Sequence, residues 1–158
     1  MLCYMMLVTQ ARSTEEMEIV RSLMREYQQR LGVDLCFQGF EAELAALPGS
    51  YAPPSGRLLL TLNANVPVGC VALQRITTAR AEMKRLYVVP SARGLGVGRK
   101  LVEHILNEAP AIGYTEVVLD TLPSMVEAQR LYQQFGFREI EPYRPNPVAG
   151  TRYLGKTL

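Results

Sequence analysis

Between Thr14 and Leu31 the apolar residues Met17, Val20, Leu23, Met24, Tyr27 and Leu31 recur every three or four positions, which gathers them on one face of a helix. Ser13 or Thr14 is placed to cap that helix, and Gly32 to end it. A shorter helical stretch, Phe40 to Ala46, stops before Pro48, and the segment from Pro48 to Gly56, with Pro53 and Pro54 adjacent, reads as a loop. The runs Leu58–Leu62 and Val66–Leu73 flank the turn Asn63-Ala64-Asn65, and Met83–Val89 is a third run of β-favouring residues. An antiparallel meander follows. The apolar start from Met1 to Val8 reads as a first strand, because no basic residue precedes it and no small-residue cleavage site follows.

After Pro90 the pattern changes. Gly94-Leu95-Gly96-Val97-Gly98 runs directly into Arg99–Ala109, where Leu101, Val102, Ile105 and Leu106 form one apolar stripe at helical spacing. Glu116–Asp120 is a short β-branched strand. Pro123 and Ser124 open a last helix with a predicted capping box of Ser124 and Glu127, and that helix runs to about Phe135 and stops at Gly136. Arg138–Glu141 and Thr151–Thr157 close the chain as strands, joined by a loop holding Pro142, Pro145, Pro147 and Gly150. No internal repeat is visible, and 158 residues fit one domain, 1–158.

Composition narrows the chemistry. With 48% hydrophobic and 20% charged residues the chain has the balance of a folded globular protein. Seventeen basic against fifteen acidic residues is too even for a surface devoted to polyanions. Cys3, Cys36 and Cys70 are odd in number and widely spaced, which suits neither a disulfide framework nor a zinc knuckle and fits a cytoplasmic protein. The single histidine, His104, lies opposite the apolar stripe of its helix and reads as a surface residue. No metal site is expected. Leu58 to Gln74, the longest uncharged run, is broken by Asn63, Asn65, Pro67 and Gly69, so no membrane span is expected either.

The strongest local signal is a strand, Leu86-Tyr87-Val88-Val89, followed by Pro90-Ser91-Ala92-Arg93 and the glycine loop that begins a helix. A helix start exposes unpaired amides and the positive end of the helix dipole, and glycines let an anion approach the backbone. Arg93 and Arg99 add full charges. The Walker pattern is missing, and Gly-x-Gly-x-Gly stands in place of the dinucleotide spacing Gly-x-Gly-x-x-Gly.

The stretch Val88-x-Pro90-x-x-Arg93-Gly94-x-Gly96-x-Gly98-Arg99 resembles the pyrophosphate-binding motif of the GNAT acetyltransferase superfamily. A second stretch, Ala128-x-x-Leu131-Tyr132-x-x-Phe135-Gly136-Phe137, resembles that superfamily's last-helix hallmark, in the matching order. One position departs: where many members carry asparagine three residues before the helix alanine, this chain has Met125. The resemblance implies an α/β (α+β) fold with a mixed central sheet of about six or seven strands and about four flanking helices. It implies acetyl-CoA as co-substrate, with the diphosphate on the amides of Gly94, Leu95, Gly96, Val97, Gly98 and Arg99, and Arg93 beside it. Pantetheine would lie along Leu86, Tyr87 and Val88, as in β-strand addition, and a backbone N–H at Val88 or Val89 would face the thioester oxygen.

By the same resemblance Glu82 is the candidate base and Tyr132 the candidate acid. On the alternative readings Glu82 pairs with Arg80 or Arg152, and Tyr132 is a core residue under the loop. Lys84, Arg85, Arg93, Arg99 and Lys100 form a basic cluster that cofactor phosphates would satisfy, with no nucleic-acid partner. Cys70, in an apolar strand, reads as a small core residue. The resemblance implies as acceptor a primary amine of a small molecule, an amino acid derivative or a peptide. Its groove falls to the first two helices and their connection, Leu31 to Phe40, opposite the loop Pro142–Gly150. A non-catalytic CoA-binding sensor with the same fold remains a second reading, and a monomer and a homodimer both remain open.

Overall fold

The computed structural model describes residues 5–35 and 39–158. Strand β1 (Met6–Gln10) is followed by helices α1 (Thr14–Leu31) and α2 (Phe40–Ala46). Then come β2 (Arg57–Asn63), β3 (Val66–Arg75) and β4 (Arg80–Val88), helix α3 (Val97–Ile112), β5 (Glu116–Thr121), helix α4 (Val126–Gln134), β6 (Arg138–Glu139) and β7 (Arg152–Thr157). One seven-stranded sheet results, in the order β1-β2-β3-β4-β5-β7-β6. The predicted meander is there, with β2 to β4 antiparallel neighbours, and the single parallel pairing among the described residues joins β4 to β5. β4 begins three residues earlier than its β-favouring run predicts, so Glu82 lies well inside the strand. Cys3, Cys36 and part of the predicted Leu31–Phe40 groove wall lie outside the described residues.

Period-2 alternation divides the sheet between two cores. Leu59, Val71, Leu73, Ala81, Met83, Val117 and Leu119 pack against α3 and α4, while Leu58, Leu60, Cys70 and Ala72 pack against α1 and α2. The stripe Met17, Val20, Leu23 and Met24 is the buried face of α1. Its start carries a complete capping box, in which Ser13 Oγ accepts from the Glu16 amide and the Glu16 carboxylate accepts from the Ser13 amide. At Gly69 a Cβ would lie 2.9 Å from a Val97 methyl and from the Tyr87 carbonyl, so only glycine lets α3 sit this close to β3.

Helix α4 corrects the sequence reading. Its cap is Met125, with no side-chain cap bond, and the Ser124–Glu127 box does not form. The Met125 amide and the Gln129 side chain both donate to the Leu122 carbonyl, at 3.0 and 2.7 Å, which holds residues 122–125 in a turn and starts the helix one residue too late for Ser124 to cap it.

Candidate active site

The site arises where two strands part. β4 and β5 pair at Arg80–Glu116, Ala81–Val117 and Glu82–Val118, and the pairing goes no further, although β5 continues against β7 as far as Thr121. Beyond Glu82, β4 therefore presents a free edge on its β5 side. A bulge shapes that edge: Cys70 pairs with Tyr87 but Ala72 with Lys84, so Arg85 and Leu86 together face Val71. Arg85 sits at φ 58°, a left-handed conformation that costs a long side chain of order 1 kcal/mol or more. It is held by two 2.9 Å hydrogen bonds from its guanidinium to Glu43 on α2, and that guanidinium lies 5.1 Å from the Phe40 ring centroid.

The extra residue switches the side-chain parity of β4. Before the bulge Glu82 and Lys84 face the α1/α2 side; after it Tyr87 does, its hydroxyl donating to Glu26 at 2.7 Å and its ring edge-on to Tyr27. Leu86 and Val88 pack toward the α3 side. The Val89 amide donates to the Val68 carbonyl at 2.9 Å, which removes Val89 from the two candidate thioester donors. Because amides alternate along a strand, the Val88 N–H points to the open edge. The Val88 carbonyl, turned the same way, accepts from Arg93 Nε at 3.3 Å.

The loop after β4 fits an anion. Gly94 and Gly96 have φ of 81° and 82°, and a Cβ at either would touch nothing within 4 Å, so both face open space. The amides of Val97, Gly98 and Arg99 form the first turn of α3, which has no side-chain cap. The Leu95 amide is turned back onto the Ala92 carbonyl at 3.3 Å, and the Leu95 side chain is exposed. Arg93, Arg99 and Lys100 are exposed beside these amides. Arg99 also donates to Gln134 and lies over Phe135, 5.1 Å from its centroid. The predicted basic cluster is smaller than expected, since Arg85 is buried against Glu43 and Lys84 points to the other face of the sheet, 4.0 Å from Glu82.

Glu82 is fully buried at the fork. Its Oε2 accepts from the Tyr143 hydroxyl at 2.6 Å and its Oε1 from Gln74 Nε2 at 2.8 Å, and Arg144 donates to Oε1 as well. Neither expected arginine is its partner, because Arg80 pairs with Glu116 and Arg152 with Glu139. Lys84 is pulled below its ordinary pKa by burial and then by Arg85, with Glu82 acting the other way.

Tyr132 lies on the opposite side of the sheet, in the core under α3 and α4, packed on Phe137 with ring centroids 5.7 Å apart. It is 4% exposed, and its hydroxyl donates to no described residue. Burial, and then Tyr27 and Asp120, push its pKa up, so the phenol keeps its proton throughout the neutral range. Asp120, whose carboxylate accepts from Asn146 at 3.3 Å, is a site residue that sequence reasoning missed. Its signal was the alternation Glu116, Val118, Asp120, which puts all three on the Glu82 face. Tyr143 and Gln74 carried no such signal, because only the fold brings them to Glu82. His104 is exposed, and Cys70 is fully buried with its thiol pushed up to about 12 by burial, so the thiol is a poor nucleophile. Among the described residues no three His, Cys, Asp or Glu side chains come together as a metal set, and no helix is long and apolar enough to cross a membrane.

Known proteins share this chain's sequence and fold. The model of the Acetyltransferase (GNAT) family matches residues 17–137. An uncharacterized N-acetyltransferase of Schizosaccharomyces pombe is 38% identical over 149 residues, covering 93% of this chain and 91% of its own. An acetyltransferase crystal structure from Streptococcus agalactiae superposes with a TM-score of 0.81 at 24% identity, covering 97% of this chain and 98% of that one. PaiA N-acetyltransferase from Thermoplasma acidophilum, solved in complex with coenzyme A, gives 0.76 at 16% identity, covering 97% and 99%. The chain belongs to the Acetyltransferase (GNAT) family and is by class an N-acetyltransferase.

Proposed function

We propose that this N-acetyltransferase transfers the acetyl group of acetyl-CoA to a primary amine by direct attack, with both substrates bound on opposite sides of the β4–β5 fork. The parting of the strands after Glu82 carries the reading, because it joins an anion-binding helix start on one face to a buried carboxylate on the other. Acetyl-CoA supplies the activated acetyl group. The free edge of β4 at Leu86–Val88 pairs with the amides of the pantetheine arm, and the amides of Val97, Gly98 and Arg99, with Arg93 nearby, hold the diphosphate. The coenzyme A in the Thermoplasma acidophilum relative supports this choice.

The Val88 N–H donates to the thioester oxygen, where negative charge grows during attack. Glu82 takes the ammonium proton, directly or through a water, and Tyr132, protonated in its buried position, donates to the departing sulfur. The acceptor enters from the α1/α2 side and is a small molecule, an amino acid derivative or a peptide. A cytoplasmic site of action fits the free, buried thiol of Cys70.

Thiol release from acetyl-CoA over a panel of amines tests the reading, with wild type beside Glu82→Gln. Wild type turns over at least one amine, and the variant is slower by about 10² to 10⁴-fold at low pH, regaining part of the rate as the amine loses its own proton. Silence with every amine refutes transfer. An unchanged rate and pH profile in the variant removes Glu82 from the reaction.

A further inference from the structure

Besides Glu26, which accepts from Tyr87, and Glu116, which pairs with Arg80, four charged side chains on the acceptor side matter at the fork. Glu82 and Asp120 are the acids, Lys84 and Arg144 the bases, and Arg85 is already neutralised by Glu43. Arg144 occupies the place that an acceptor ammonium needs. It donates to the same Glu82 oxygen that Gln74 uses, while Tyr143 fills the other oxygen. An amine that delivers its proton directly to this oxygen of Glu82 must displace the guanidinium.

Arg144 is prepared to be displaced without leaving. Its backbone carbonyl accepts from the Tyr153 hydroxyl at 2.7 Å, and its guanidinium lies 5.3 Å from the centroid of the Tyr143 ring, which itself stands edge-on to Tyr153. Drawn off Glu82, this guanidinium, only 27% exposed in its present pairing and beside an aromatic ring, is a cation in need of an anion. A simple amine or a polyamine would add a further positive charge beside Arg144 and Lys84. A molecule carrying its own carboxylate one or two carbons from the amine leaves the charges balanced and gives both ends a partner.

We propose that the acceptor is an amino acid or a close derivative with a free carboxylate, and that Arg144 is the specificity-determining residue that moves from Glu82 to that carboxylate. The proposal rests on the transferase reading given above. Glu82 receives the amine, and Arg144 is the cation for the acid end.

The test compares free L-amino acids, their α-carboxamides and spermidine as acceptors for the full chain, read by thiol release. Free acids are expected to exceed their carboxamides in kcat/KM by about 10- to 100-fold, the worth of one charge-assisted contact. Arg144→Gln should bring that ratio close to one, and Arg144→Lys should keep part of it. Carboxamides or spermidine used as well as free acids overturn the proposal, and so does a ratio unaffected by Arg144→Gln. If no compound in the panel releases thiol, the wider amine panel above decides the transferase reading, and calorimetric titration of the same acids and carboxamides into CoA-saturated protein decides the carboxylate site. Binding of the acids alone supports it; equal binding, or none, refutes it.

Discussion

Removing Glu43 isolates the contact that holds the β4 bulge. The Arg85 side chain is 3% exposed and Glu43 14%, and the two share a pair of 2.9 Å hydrogen bonds. Glu43→Ala leaves a guanidinium buried without its anion, a loss of about 3 to 5 kcal/mol. For a domain of this size each kcal/mol shifts Tm by about 2 to 4 °C, so the variant should melt about 6 to 20 °C lower. Glu43→Gln keeps a hydrogen-bond acceptor and should fall between the two. Urea unfolding followed by circular dichroism at pH 7 gives the free energies, and a thermal melt gives Tm. Burial raises the Glu43 pKa, but the hydrogen bonds and charge of Arg85 outweigh it and leave the carboxyl below its ordinary value. A depressed carboxylate stabilises the fold above its unfolded pKa of about 4.3 and loses that contribution as pH falls through the folded value. The gap between wild type and Glu43→Gln should thus be full at neutral pH and shrink below about pH 4. A Glu43→Ala variant within about 1 kcal/mol of wild type at pH 7 refutes the reasoning, since Arg85 would then be satisfied without Glu43.

Two further substitutions separate chemistry from packing and test the loop. Tyr132→Phe removes a hydroxyl with no described protein partner, so stability should stay within about 1 kcal/mol while turnover falls tenfold or more; full turnover would return Tyr132 to the core. Gly96→Asp puts a negative charge at the helix start facing open space, so the rise in Tm that acetyl-CoA gives wild type should be lost or need at least about tenfold more ligand; an unchanged response places the diphosphate elsewhere.

The elements themselves are local consequences of the chain. The three-and-four spacing of Met17 to Leu31 makes a helix wherever it is placed, Ser13 and Glu16 cap it with one another, and the alternation in β2 and β3 sorts Leu58 and Leu60 from Leu59 before any tertiary contact forms. The glycine loop was legible for the same reason: backbone freedom and a helix start belong to a few consecutive residues. What the strands do to one another was not legible. The bulge at Arg85 moves the chain by one residue, so strict alternation places that side chain in the wrong core, and the turn at Leu122 delays α4 past the serine that seemed made to cap it. The partners of Glu82 come from sequence separations of 8, 61 and 62 residues, and no pattern along the chain encodes them. Sequence thus pointed to candidate residues for holding a diphosphate and moving a proton. Only the tertiary structure decided what surrounds Glu82 and where β4 leaves β5, because where two strands stop pairing is set by packing on both faces of the sheet.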